Sequence, residues 1–147
     1  MKSETATDVP LAYALFRVAL GFDMLMHGVS RLIVGPTAFA GNLVRDFQAT
    51  ILPPALVRPF ATVLPFAELA LGALLLAGLA TRWALMAGVA LMCALMFGTS
   101  LQGKWDVVTQ QLLYAAAFSG LLAGARWNRY SVDRARWHGG CLSRSRR

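Results

Sequence analysis

Four stretches of roughly twenty mostly apolar residues follow one another along this chain, each the length of a membrane span. They lie at about Pro10–Leu32, Arg58–Leu79, Arg82–Leu101 and Val107–Ala125. Inside a bilayer no water is present to satisfy backbone N–H and C=O groups, so a spanning segment must pair them internally. The fold class this predicts is all-α, a membrane four-helix bundle in one domain over residues 1–133 with a basic C-terminal tail over 134–147. Composition agrees: only 14% of the 147 residues are charged and mean hydropathy is +0.55, against about 25% charged in a soluble domain. The segment Met1–Asp8 mixes Lys2 with Glu4 and Asp8, and Arg17 interrupts the apolar run behind it. A cleavable signal wants a positive start and a clean apolar core, so the first span is expected to be retained.

The connections constrain how the spans pair. Only Ala80-Thr81-Arg82 separates the second and third, which forces an antiparallel hairpin. Gln102-Gly103-Lys104-Trp105-Asp106 joins the third and fourth. The one long connection has a pattern of its own. After the Gly35-Pro36 break, Phe39, Leu43 and Phe47 recur every fourth residue until Pro53-Pro54. That period predicts a short amphipathic helix between spans 1 and 2, on the membrane surface or capping the bundle. Small residues repeat at the same spacing in span 3 (Ala90, Ala94, Gly98) and span 4 (Ala116, Gly120, Gly124). Such stripes let helix backbones approach closely.

Net charge is +7, concentrated after the last span at Arg126, Arg129, Arg134, Arg136, Arg144, Arg146 and Arg147. Counting Lys and Arg on the two sides favours both termini in the cytoplasm. No aromatic-interleaved stripe or nucleic-acid module accompanies these arginines, so nucleic acid is not an expected partner. Cys93 and Cys141 form no C-x-x-C pair, which removes thiol–disulfide chemistry that needs a resolving cysteine. The methionines of the spans read as core filler rather than copper or haem ligands. His138 lies in the tail, where it cannot pair with His27 as a second axial haem ligand inside the bundle.

Four ionisable residues stand within the apolar runs: Arg17, Asp23 and His27 in the first and Glu68 in the second. Each charge at a span centre costs about 2.5–3.5 kcal/mol to insert, so such groups normally face the bundle interior and find partners. Arg17, Gly21, Met24, Gly28 and Arg31 share one helical face, with Asp23 and His27 on the next. If the span midpoints align, Arg17 meets Glu68 in a central ion pair and Asp23 pairs with His27. These four are the candidate polar pocket or proton relay. His27 and Glu68 can change protonation, Arg17 is a fixed cation, and Asp23 can orient the imidazole. The same charges could instead lock helix register.

The ordered set Arg17-Val-Ala-Leu-Gly21, His27-Gly28, Arg31-Leu32, then Glu68, Gly72, Leu76 and Gly78-Leu79-Ala80-Thr81-Arg82, and finally Ser131-Val132-Asp133 resembles the DoxX family. The likeness runs through nearly the whole chain. It departs in Arg31, where the family often has Lys, and in the stretch before Ser131, which lacks the usual glycine pairing. The resemblance implies a four-helix bacterial inner-membrane protein, with relatives linked to quinone-coupled oxidation and membrane oxidoreductase complexes. On the physical side, Asp133 is expected to pair with Arg82 and pin the tail to the hairpin.

Three functions follow in order. The first is the membrane subunit of a quinone-linked oxidoreductase system. Quinone is the possible ligand, and no haem, flavin or NAD motif and no metal site is present. Its electrons would come from a soluble or membrane redox partner. The second is a non-enzymatic membrane anchor or assembly subunit whose polar cluster is structural. The third, small-solute transport, would require a homo-oligomer and the paired broken helices this sequence lacks.

Overall fold

In the computed structural model residues 5–133 are described. They form five α-helices and no strand: α1 (Thr5–Val34), α2 (Pro36–Asp46), α3 (Pro54–Ala77), α4 (Thr81–Leu101) and α5 (Trp105–Ala123), followed by a 3₁₀ turn at Ala125–Trp127. The expected all-helical membrane bundle with a short helix after the first span is therefore the observed class. The basic tail, with Cys141 and His138, lies outside the described residues.

Helix boundaries follow local chemistry. Gly35 at φ 94 separates α1 from α2, and Pro36 occupies the first turn of α2, where its missing N–H costs nothing. Pro53-Pro54 does not merely end α2. Extended Pro53 caps α3 and Pro54 opens it, so α3 begins four residues before the expected Arg58. At its other end Gly78 adopts a left-handed conformation (φ 63), and the Leu79 N–H returns to the Leu74 carbonyl at 3.0 Å. This is a Schellman closure, and only glycine takes that conformation without steric cost.

α1 lies antiparallel on α3, α4 pairs with α5, and α2 folds back onto α3. The α1/α3 seam is built on glycine. A Cβ at Gly28 would stand 2.7 Å from the Leu69 nitrogen and the Pro65 carbonyl. One at Gly72 would stand 2.5 Å from the Leu25 nitrogen. Between α4 and α5, Gly88 instead receives the ring of Phe118, with a ring carbon 2.4 Å from the ideal Cβ position. The expected small-residue stripes do not form the α4/α5 seam. Ala90, Ala94, Ala116 and Gly120 are exposed, Gly98 packs under Phe47, and Gly124 packs beside Tyr13. Large rings fill small gaps here, so the contact surface follows shape rather than the four-residue repeat.

α2 caps the bundle. Its pattern residue Phe47 and its own Ala40 are buried, and α2 roofs a cavity of about 350 Å³ between α3, α4 and α5. The core proper gathers Tyr13, Leu20, Met24, Leu75, Leu85 and Phe118. Phe16, Phe22, Phe66, Phe97 and Trp83 point outward, as they do in a protein whose solvent is hydrocarbon. Three helices, α1 from Asp8, α3 and α4, are long and apolar enough to cross a membrane. α5 is not among them, because its first half carries Asp106, Gln110 and Gln111. The chain is an integral membrane protein.

Candidate polar site between the first, third and fifth helices

The register of α1 on α3 decides which charges meet. Gly28 faces Pro65 and Leu69, while Gly21 faces Gly72, Leu75 and Leu76. Glu68 therefore lies opposite the stretch around His27, about ten residues and some 15 Å along the helix from Arg17. The expected Arg17–Glu68 ion pair does not form. Aligning span midpoints gave the wrong offset, because the glycine contacts stagger α1 along α3 rather than centring the two helices on each other.

Glu68 pairs with Arg31 instead. Arg31 Nη1 donates to Glu68 Oε1 across the α1/α3 seam. Glu68 is 1% exposed, and its second oxygen, Oε2, is buried with no hydrogen-bond partner among the described residues. A buried acceptor left unpaired costs about 1–3 kcal/mol. The Arg31 guanidinium also lies over the Phe39 ring of α2, 5.1 Å from its centroid.

Asp23 and His27 come together as expected. The His27 Nδ1 is 3.0 Å from the Asp23 carbonyl oxygen and 3.4 Å from its Oδ2. A proton on Nδ1 satisfies the carbonyl and leaves Nε2 as the acceptor of the neutral ring. The carboxylate is an electrostatic neighbour, and Oδ2 makes no hydrogen bond among the described residues. Both side chains are 42% exposed. The imidazole stands edge-on to Tyr114 of α5, with ring centroids 6.1 Å apart. His27, Tyr114, Gln110, Phe16, Leu20 and Leu113 line an open groove of about 560 Å³ between α1 and α5. Glu68 lies within electrostatic range of both His27 and Asp23.

Arg17 belongs to a different construction. It is 3% exposed and donates through Nη1 to the Leu75 carbonyl and, at 3.4 Å, to that of Leu76. Its Nη2 donates to the Tyr130 carbonyl at 2.7 Å. Leu75 and Leu76 belong to the last turn of α3, whose carbonyls carry the negative end of the helix dipole; that of Leu75 also accepts the Gly78 N–H at 3.2 Å. Arg17 thus ties α1 to the end of α3 and to the segment after α5.

Asp133 completes that clasp. Its carboxylate accepts from the Ala80 N–H at 2.7 Å, from the Thr81 N–H at 2.9 Å and from the Thr81 hydroxyl at 3.0 Å. α4 begins at Thr81 after a left-handed Ala80 that offers no side-chain cap, so Asp133 supplies the missing cap from 52 residues downstream. Asn128 Nδ2 adds a bond to the Thr81 hydroxyl at 3.1 Å. The expected Arg82–Asp133 pairing is corrected accordingly: the described contacts of the carboxylate run to hairpin backbone and Thr81, while Arg82 is exposed. Unpaired N–H groups at a helix start attract a carboxylate more directionally than a solvated guanidinium does.

Arg31 and Tyr114 enter the site without having been expected there. Arg31 was legible as a member of the Arg17–Gly28 face, but its place near the end of the first run read as interfacial. Nothing local to Tyr114 signals that α5 would bring it to His27.

A family model described as methylamine utilisation protein MauE matches residues 9–107, two-thirds of the chain. The chain belongs to the MauE family. The match runs from α1 through α4 into the start of α5 and includes Arg17, Asp23, His27, Arg31 and Glu68. The family found is MauE and not DoxX, and the two agree on a membrane protein. Neither the curated proteins nor the solved structures contain a match.

Proposed function

We propose that this MauE-family protein is the membrane subunit of a redox system and handles protons for a quinone-type ligand in the α1/α5 groove. The family description points to methylamine utilisation, and oxidising an amine releases electrons that must reach an acceptor. Reducing a quinone takes two electrons and two protons. The electrons come from a partner protein, since this sequence contains no dinucleotide turn or cysteine cluster. The protons are the part these residues suit.

One observation carries the reading: an imidazole beside a carboxylate stands in an open groove between α1 and α5. A quinone partitions into lipid and can enter such a groove sideways. A protonated His27 donates to a quinone carbonyl, Gln110 and Tyr114 offer further polar atoms, and Phe16 offers an aromatic wall. Glu68 stands behind as a carboxyl with one uncommitted oxygen, and Arg31 holds it in place. Proton exchange by positioned groups of this kind contributes about 10²–10⁴-fold to a rate. α5 forms the fourth membrane-embedded helix, and the protein sits in the bacterial inner membrane with both termini in the cytoplasm.

The test is purification in mild detergent with native lipid, followed by organic extraction and titration with a short-chain quinone. Co-extracted quinone, and binding lost in His27→Gln without loss of helix content, supports the reading. A quinone-free protein that binds none sinks it. The competing role, an anchor or assembly subunit, is favoured by the way Arg17 and Asp133 are spent on holding helices together. It predicts that His27→Gln and Glu68→Gln act only through folding or partner capture.

A further inference from the structure

A second enclosure lies outside that groove. α2 roofs it, and α3, α4 and α5 wall it, around about 350 Å³ of space. Cavities that hold small ligands run from about 300 to 1,000 Å³ and are mostly apolar with a few polar groups. Phe39, Leu43 and Phe47, the residues whose spacing makes α2 amphipathic, supply the roof, and Phe60, Leu64 and Phe97 supply walls.

The charged groups at this cavity are donors. Of the ionisable residues lining it, both are cations, Arg31 and Lys104. Their carboxylate partners, Glu68 and Asp46, are not among the lining residues. An arginine has five N–H donors, and among the described residues only those on Nη1 of Arg31 have a hydrogen-bond partner. The Gln111 NH₂ makes no hydrogen bond among the described residues, while its Oε1 stands 2.7 Å from the Thr99 hydroxyl, which also lies 3.0 Å from the Leu95 carbonyl.

We infer that the α2-roofed cavity binds a single-chain amphiphile with a carboxylate head, its tail among the phenylalanines and its head on Arg31, Gln111 and Lys104. A carboxylate accepts from a guanidinium edge and an amide NH₂ at once, which a neutral alcohol cannot match. A cationic head would meet two like charges. The site does not depend on the quinone reading, because it shares no lining residue with the α1/α5 groove.

The experiment uses full-length protein in phosphatidylcholine nanodiscs with a photoactivatable dodecanoate. Cross-links are expected on buried lining residues such as Phe47 and Leu64. Unlabelled dodecanoate should compete for them about ten-fold better than dodecanol, the weight of one hydrogen bond to a charged group. Dodecyltrimethylammonium should compete worst. Ala94→Phe, which fills the cavity from α4, should abolish labelling. Should that variant fail to fold, Gln111→Leu decides. It removes the amide donor at similar volume and should cut dodecanoate's advantage over dodecanol severalfold; an unchanged advantage would overturn the assignment. Equal competition by all three heads, labelling spread over lipid-facing residues, or a phospholipid acyl chain recovered from the cavity would each overturn the assignment.

Discussion

Arg31 reaches from α1 to a buried glutamate on α3, and among the described residues the Arg31–Glu68 pair is the one charge–charge bond that crosses that seam. Because Glu68 is 1% exposed and Arg31 about a quarter exposed, losing Arg31 strands a buried carboxylate while losing Glu68 leaves a partly solvated guanidinium, so the first loss should be the larger. Arg31→Met or Glu68→Leu alone should destabilise by about 3–5 kcal/mol, and the double variant should recover most of it. Thermal unfolding in detergent measures the cycle. Additive losses in the double variant would show that the two residues act separately.

Glycine at position 28 is required by contact rather than by conformation. Gly28→Ala places a Cβ 2.7 Å from backbone atoms of Leu69 and Pro65, which cannot swing aside. A loss of about 1–3 kcal/mol is expected. Gly120→Ala, whose Cβ meets nothing within 4 Å, should gain up to about 1 kcal/mol from helix propensity. Equal effects of the two substitutions would contradict the seam described for α1 and α3.

The clasp at the hairpin end makes a separate prediction. Asp133→Ala removes the acceptor at the start of α4 and should cost about 1 kcal/mol, with faster amide exchange at Ala80 and Thr81. Asp133→Asn should recover part of the loss, since its side-chain oxygen still accepts. Exchanging the charges of Arg82 and Asp133 should bring no rescue, because an arginine cannot accept from those N–H groups. Full rescue would restore the ion-pair account.

Arg17→Met should free the segment after α5, since the Tyr130 carbonyl and the end of α3 lose their shared donor. Limited trypsin cleavage at Arg126 and Arg129 should become faster, while Arg17→Lys should sit between the two. Quinone binding by the folded fraction should be unchanged, because Arg17 lies away from the groove. Loss of binding in a well-folded Arg17→Met would return this residue to the site.

Much of the architecture was legible from residue order. The short helix after the first span followed from Phe39, Leu43 and Phe47, and the tight hairpin from Ala80-Thr81-Arg82. The Asp23–His27 pair was legible too, because residues four apart on a helix are neighbours whatever surrounds them. The partner of Glu68 was not. It depends on the offset between α1 and α3, which the glycine contacts set and the ends of the two helices do not reveal. The small-residue stripes misled for a related reason, since a repeat says that close approach is possible and not which neighbour makes it.

Local chemistry in the chain was enough to determine that it is helical, that it lives in a membrane, and that its few charges would have to seek company. Which charges met was decided by glycine contacts at positions 21, 28 and 72, which set one helix against another at a single register. That choice left Arg17 capping a helix end, Arg31 holding Glu68, and His27 facing Tyr114 across a groove. The physical reason is that side-chain periodicity is a property of one helix, whereas register belongs to a pair and is fixed by backbone atoms in contact.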